Sequence, residues 1–236
     1  MCFIPARGGS KRIPRKNLLP LAGKSLLRRT IDAASESDIF DQIIVSSDDS
    51  EVENEIKLLD QICFHRREPE LANDLARVPE VVHHFISSLP EDNRAEEIVV
   101  LLPPCPFRKS KHIQEAYSLF KEVNPSGFLV SVTRYDFPPQ FAVRWSDLDK
   151  RTALELLHPD VYARTTRSQS VEQLLHPNGA IYIFSVSAFL QSKSFFSHPL
   201  VGYEMSPEDS FDIDWPHQLH VAEAILKSHQ QKKVNK

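Results

Sequence analysis

The sequence predicts an α/β fold, a largely parallel sheet flanked by helices. Two observations predict it. Short apolar runs too brief for helices alternate with amphipathic segments of helical spacing along most of the chain. The first of these runs empties into a turn-forming stretch at Arg7-Gly8-Gly9-Ser10, as a strand does at the functional edge of such a sheet. The size agrees: 236 residues with 41% apolar and 25% charged composition suffice for one packed domain.

In chain order, Met1–Ala6 reads as a buried strand. Ser25 caps a helix whose apolar positions include Leu26, Leu27, Ile31 and Ala34. Residues 42–47 (QIIVSS) form a second buried strand, followed by Asp48-Asp49 and a helix with Val52, Ile56 and Leu59 on one side. Arg77–Ser88 is helical, Glu97–Leu102 a strand, Ser110–Val123 a helix and Gly127–Val132 a strand. Alternation stops over Arg134–His176, which suits a β-rich flap, an arm packed on a second subunit, or a plain surface excursion. Regular structure resumes with the strand Ala180–Phe184, and the last helix starts near Pro216, a first-turn residue. The simplest partition is one domain, 1–236, carrying 134–176 as an insertion. In parallel sheets ligands sit beyond the carboxyl ends of the strands, so the loops that begin at Arg7, Ser47, Pro103 and Thr133 are the ones to read.

Composition narrows the partners. The net charge of −4 argues against a nucleic-acid-binding surface. No apolar run approaches the ~20 residues of a membrane span, and the N-terminus lacks the apolar core of a signal peptide. Cys2, Cys63 and Cys105 are too scattered for a zinc site or a disulfide framework. A reducing cytoplasm is the expected location.

Against this acidic background the run IPARGGSKRIPRKN at 4–17 stands out. Arg7, Lys11, Arg12, Arg15 and Lys16 crowd around a glycine pair directly after a buried strand. Backbone amides exposed at Gly8 and Gly9, with several cations, suit a triphosphate and the pyrophosphate released from it. The spacing is neither G-x-G-x-x-G nor G-x-x-x-x-G-K-[ST], which disfavours dinucleotide and Walker-type readings. A solvated basic loop is the bland alternative. A second candidate is Asp212-Ile213-Asp214. In an extended segment carboxylates at i and i+2 share a side, so both can reach one hard cation, although D-x-D also suits a solvated strand end or a helix cap. Tyr182 and Phe195-Phe196 offer an apolar wall or plain core packing, and Asn178-Gly179 a polar contact or a turn.

The motif at 4–17 resembles the N-terminal signature of the CMP-sugar synthetases, especially the acylneuraminate cytidylyltransferases. Further stretches similar to that family follow in its order: REPELAND at 67–74, Pro106-Phe107-Arg108, VSVT at 130–133, HPNGAIY at 176–182 and DSFDID at 209–214. The resemblance implies a Rossmann-like nucleotide-diphospho-sugar transferase fold and transfer of CMP from CTP to the anomeric hydroxyl of N-acetylneuraminate or a related nonulosonic acid, with release of pyrophosphate. It implies that Arg7, Gly8, Gly9, Ser10, Lys11, Lys16, Asn17 and Arg67 bind the nucleotide, Asn17 reading the cytosine. It implies Mg²⁺, replaceable by Mn²⁺, on Asp212 and Asp214. It places Arg7, Lys11, Lys16, Asp212 and Asp214 in catalysis, and Leu102, Asn178, Tyr182, Phe195 and Phe196 around the sugar. It also implies a homodimer with Arg134–His176 as the exchanged arm.

The chain departs from the family in one loop. Aligned on Pro106-Phe107-Arg108, Leu102 stands where the family has a sugar-contacting Gln, and Pro104 and Cys105 replace a Thr and a Ser; Val78 replaces a nucleotide-contacting Ser. The sugar is therefore left open among N-acetylneuraminic, pseudaminic, legionaminic and 3-deoxy-manno-octulosonic acids. A nucleotide-binding regulatory protein without catalysis is the rival from another class, disfavoured by the retention of both Asp212 and Asp214 beside an intact basic loop.

Overall fold

The computed structural model describes residues 1–147 and 152–234, so part of the Arg134–His176 insertion (148–151) lies outside the described residues. The elements are β1 (Cys2–Pro5), β2 (Pro20–Leu21), β3 (Lys24–Ser25), α1 (Leu26–Glu36), β4 (Ile43–Ser47), α2 (Ser50–Ile56), β5 (Ile62–Arg66), α3 (Val78–Ser88), β6 (Glu97–Val100) and α4 (Ser110–Val123). They continue with β7 (Phe128–Arg134), β8 (Val143–Trp145), β9 (Leu154–Leu156), α5 (Pro159–Arg164), β10 (Leu175–Ser185), α6 (Val186–Ser192), β11 (Leu200–Glu204) and α7 (Pro216–Val234). Seven strands form one sheet in the order β11-β7-β10-β6-β1-β4-β5. The pairs β1–β4, β1–β6, β4–β5 and β7–β11 are parallel, and β10 runs antiparallel to β6.

Both faces of the sheet are covered, which explains why its central strands read as unbroken apolar runs. Successive side chains alternate between faces. Cys2, Ile4, Val45, Val99 and Leu101 pack on one side with Leu27 and Ile31 of α1 and Ile113, Ala116 and Phe120 of α4. Phe3, Ile44, Ile98 and Val100 pack on the other with Val81, Val82 and Phe85 of α3 and Phe189 of α6. Ser25 caps α1 by accepting a hydrogen bond from the N–H of Arg28, as its position predicts. Two edge strands escaped the sequence reading: β5, whose side chains are only partly buried, and β11.

A third apolar cluster sets the site. Ile13, Leu21, Leu26 and Phe107 pack against Ile213 and Ala222, with Leu219, Ile225 and Leu226 of α7 alongside. This ties the basic loop to the segment that carries Asp212 and Asp214.

The chain divides into two compact units, Met1–Val132 with Asn178–Lys236, and Thr133–Pro177. In the smaller unit β8 and β9 form a hairpin and α5 packs through Tyr162, whose hydroxyl donates to the carbonyl of Phe141 at 2.7 Å. Among the described residues no helix is long and apolar enough to cross a membrane.

Candidate functional site

A cleft of about 680 Å³ opens in the larger unit beyond the carboxyl ends of β1, β5 and β6. Its lining sorts by chemistry. One part carries Arg7, Lys11, Arg12, Lys16, Arg67 and Arg77 with Asp74 and Asp214, six cations against two carboxylates. The other carries Leu102, Pro103, Pro104, Tyr182, Phe195 and Phe196. Such a cleft suits a ligand that is anionic at one end and presents apolar groups at the other.

The basic loop is built by local hydrogen bonds. The Ala6 N–H donates to the Ser46 carbonyl at 2.8 Å, extending the β1–β4 ladder by one residue. The chain then leaves the sheet, and the Asn17 amide Nδ2 donates back at 2.9 Å to the carbonyl of Arg7, ten positions earlier, closing the loop. Arg15 sits in the left-handed region (φ 52°), and the 3₁₀ turn after it puts Lys16 and Asn17 against the cleft. Asn17 is buried at 7% exposure, and Lys16 is also well shielded.

Arg67 comes from the end of β5. It is held by its own N–H to the Ser47 carbonyl and by Nη2 to the Ser46 carbonyl, at 2.8 and 2.9 Å. Burial lowers its pKa to about 10; Asp48 opposes that shift and the nearby Arg7 adds to it. A guanidinium at that value is still charged at neutral pH. Two like-charged guanidiniums facing one cleft favour an anion between them.

Ion pairs tie the cations to acids far away in the chain. Asp74 lies 3.2 Å from Arg7 and 2.9 Å from Lys11. Asp214 lies 2.7 Å from Lys16 and 2.9 Å from Arg12, and these pairs hold its carboxyl below the usual range against the opposing effect of burial. Asp212 behaves oppositely: burial, then the charge of Asp214, raises it to about 6. Ile213 between them is fully buried, and its N–H donates to the Pro104 carbonyl at 3.0 Å.

At the apolar end the Tyr182 ring lies 4.9 Å from Phe195 and 6.1 Å, edge-on, from Phe196. Phe195 is part of the core, stacked on Phe184 and Phe189, whereas Phe196 is 49% exposed at the cleft. Burial raises the Tyr182 phenol to about 12, so it stays a hydrogen-bond donor. The loop bearing Leu102 is pinned by Arg108, a fully buried guanidinium whose Nη1 donates to the carbonyls of Leu102 and Ala180 at 3.0 and 2.8 Å.

The structure gathers Arg7, Ser10, Lys11, Lys16, Asn17, Arg67, Leu102, Tyr182, Phe195, Phe196 and Asp214 around this cleft. Four other expected site residues do not line the cleft. The Gly8 N–H donates to Asp48 Oδ1 at 2.9 Å, so that amide serves the fold, and a Cβ at Gly8 would meet Asp49 at 2.7 Å, a spacing that demands glycine. Gly9 is exposed with open space around it and does not line the cleft. Asn178 is buried at 6% exposure and is not among the lining residues, its amide spent on Ser131, Ala180 and Ser210, so its polar atoms serve the fold. Asp212 is not among the lining residues, yet it is close enough to Asp214 to feel its charge. Cys105 is likewise core, its thiol directed at the Asn178 carbonyl.

The sequence reading missed Asp74 and Arg77 as cleft residues and Asp48 as the anchor of Gly8. Asp48 had a visible signal, since it follows a buried strand at a position where ligand loops start. Asp74 closes the REPELAND stretch at 67–74 but was given no role there, and Arg77 had no signal.

The seven-stranded, mainly parallel sheet with this basic first loop defines an α/β nucleotidyltransferase fold. It superimposes on a CMP:2-keto-3-deoxy-manno-octonic acid synthetase complexed with CTP with a TM-score of 0.67, at 17% identity, over 97% of this chain and 98% of that one. A family model described as Cytidylyltransferase matches residues 1–235, and the chain belongs to that family. An N-acylneuraminate cytidylyltransferase of Streptococcus agalactiae is 39% identical over 91% of this chain and 50% of its own length. A pseudaminic acid cytidylyltransferase of Campylobacter jejuni is 31% identical over 96% of each chain. The chain thus spans about half the length of the first of these relatives and nearly all of the second.

Proposed function

We propose that this chain transfers CMP from CTP to the anomeric hydroxyl of a nonulosonic acid, with release of pyrophosphate. The observation that carries the proposal is the two-part cleft: a cation cluster on the β1 loop for a triphosphate, next to an apolar, aromatic end for an acylated sugar. In this reading Arg7, Ser10, Lys11, Lys16 and Arg67 hold the phosphates and Asn17 faces the cytosine. With one amide hydrogen on the Arg7 carbonyl, Asn17 keeps its oxygen and second hydrogen for a base edge. Leu102, Tyr182, Phe195 and Phe196 pack against the sugar.

Mg²⁺, or Mn²⁺ in its place, fits Asp212 and Asp214. The two are hard oxygen donors of like charge whose mutual repulsion contributes to the raised Asp212 value. Among the described residues no group of three or more His, Cys, Asp or Glu could hold a metal, so an ion held by these two carboxylates would need its remaining ligands from substrate and water. When bound, it would supply charge neutralisation at the reacting phosphate. The chain's own part is positioning and electrostatics. Arg7 and Arg67 orient the α-phosphate, Lys11 and Lys16 offset the charge that builds on departing pyrophosphate, and the apolar end excludes water from the reacting hydroxyl.

We also propose a cytoplasmic homodimer, and the smaller unit supports the dimer part of that reading. Val143 faces Leu156 and Trp145 faces Leu154 across the β8–β9 hairpin, and all four side chains are exposed. Cross-strand partners share a face, so they make one apolar patch that a second copy would cover. Sedimentation would show a dimer that Trp145→Glu dissociates.

The activity test is pyrophosphate release with CTP, ATP, GTP or UTP against N-acetylneuraminic, pseudaminic, legionaminic and 3-deoxy-manno-octulosonic acids. Turnover with CTP and one of these sugars is expected. Comparable turnover with another nucleotide, or none with any pair, refutes the assignment.

A further inference from the structure

One carboxylate, Asp214, ties up two of the cleft's cations. Its Oδ1 accepts from Lys16 Nζ at 2.7 Å and its Oδ2 from Arg12 Nη1 at 2.9 Å. The same Arg12 guanidinium lies over the ring of Trp215, 4.7 Å from its centroid. The acid end of this arrangement is fixed. The Asp214 and Trp215 N–H groups both donate to Gln218 Oε1 at 2.7 and 2.8 Å, and Ile213 is anchored in the core. The cations belong to the loop, about two hundred residues away in sequence, and reach over to it.

The geometry points to Asp214 as an exchange latch: it restrains Arg12 and Lys16 until a divalent cation takes its carboxylate, and the two side chains then pass to the nucleotide triphosphate. The inference rests on the nucleotide-transfer reading above and adds Arg12 and Trp215 to the working site. A carboxylate that already accepts from two cationic groups cannot also serve a divalent ion, because Lys16 at contact distance would repel the ion. Lys16, only 14% exposed, would in turn be stranded without an anion. Nucleotide alone must break both ion pairs while facing the charge of Asp214. When both arrive, every charge finds a partner. Metal and nucleotide should therefore strengthen each other's binding reciprocally, beyond their own association in solution.

Trp215 makes the exchange visible without turnover. The chain has two tryptophans, so in a Trp145→Phe background the indole signal comes from Trp215 alone. CTP with Mg²⁺ should change that signal as Arg12 leaves the ring, and CTP in EDTA should change it little. Calorimetry then measures affinity. In EDTA, Asp214→Asn should bind CTP about five- to tenfold more tightly than the parent, the range expected when two partly exposed ion pairs no longer compete. Asp212→Asn removes the same formal charge without touching Arg12 or Lys16, and should change that affinity less than about threefold. Arg12→Gln, which leaves Asp214 in place, should abolish the indole response to CTP with Mg²⁺. Equal effects of Asp214→Asn and Asp212→Asn in EDTA, or an indole response that survives Arg12→Gln, overturn the latch while leaving the nucleotide-transfer reading intact. A parent protein that binds no CTP with Mg²⁺ present overturns both.

Discussion

Asn178 separates a residue that holds the fold from one that holds the sugar. Its side chain makes four contacts in a buried setting. Oδ1 accepts from Ser131 Oγ at 2.5 Å and from the Ala180 N–H at 3.0 Å, and Nδ2 donates to Ser210 Oγ at 2.8 Å and approaches Met205 Sδ at 3.4 Å. Ser131 Oγ in turn accepts from the Ile181 N–H at 2.7 Å, so the amide joins β7, β10 and the segment before α7. Asn178→Ala leaves the Ala180 N–H and the Ser210 hydroxyl without their partner. Each unsatisfied buried group costs ~1–3 kcal/mol, partly relieved by rotation of the serine hydroxyls, which gives a net loss of ~3 kcal/mol. For a chain of this size each kcal/mol moves the midpoint by ~2–4 °C, so the expected drop in Tm is ~6–12 °C.

The assay is thermal unfolding followed by circular dichroism, paired with kcat/KM for the sugar well below the transition. The fold-clamp account expects the Tm drop with KM for the sugar within about threefold of the parent. A Tm shift below about 2 °C together with a KM raised tenfold or more would refute it and return Asn178 to the sugar site.

Three further outcomes follow from the same geometry. Asn17→Ala should raise KM for CTP and shrink the preference for CTP over UTP, at ~1–3 kcal/mol for a lost buried partner; unchanged discrimination in a nucleotide panel removes Asn17 from the base site. Burial, then the charges of Arg67 and His84, lowers the His65 pKa in the folded chain, so the unfolded chain binds more protons in the window between that lowered value and about pH 6.5. Stability contributed by His65 is thus complete above that window and lost as pH falls through it, and His65→Phe should flatten urea-unfolding stability against pH there. Leu102→Gln should shift relative kcat/KM from deoxy, diacylamino sugars toward N-acetylneuraminate, because an apolar wall discriminates hydroxyls poorly and a wall built to bond them does not; an unmoved ratio places sugar recognition elsewhere.

The parts of the fold legible from sequence are those where one residue's neighbours in the chain are also its neighbours in space. Ser25 caps α1 because its oxygen needs only an N–H three residues on. The strands β1, β4 and β6 announce themselves because both their faces are buried, which forces a continuous apolar run. β5 sits at the sheet edge with partly exposed side chains, so its run ICFHR at 62–66 carries no clear pattern. The NG pair at 178–179 allows a polar contact or a turn, and Gly179 does adopt φ 76°, yet the pair lies inside the long strand β10. There tertiary contacts of Asn178, rather than a hairpin, use the special backbone.

The candidate site divides along the same line, and this division bears on its chemistry. The cations are legible because a strand delivers them consecutively to one sheet edge. Their counter-charges are not, because Asp74 and Asp214 reach the loop from distant segments. Read from the motif alone, the loop is a set of free positive charges awaiting phosphate. In the folded chain each of Arg7, Lys11, Arg12 and Lys16 already has a carboxylate partner. Binding an anionic substrate is then an exchange of partners, and its free energy is the difference between two sets of ion pairs. Each pair is partly exposed and individually modest. A site built this way keeps its cations oriented before an anion arrives, and on the proposed reading it limits how tightly a bare phosphate or released pyrophosphate is held. On the proposed reading, selectivity for the nucleotide base then comes from Asn17 and selectivity for the sugar from the apolar end of the cleft, where no ion pair has to be displaced.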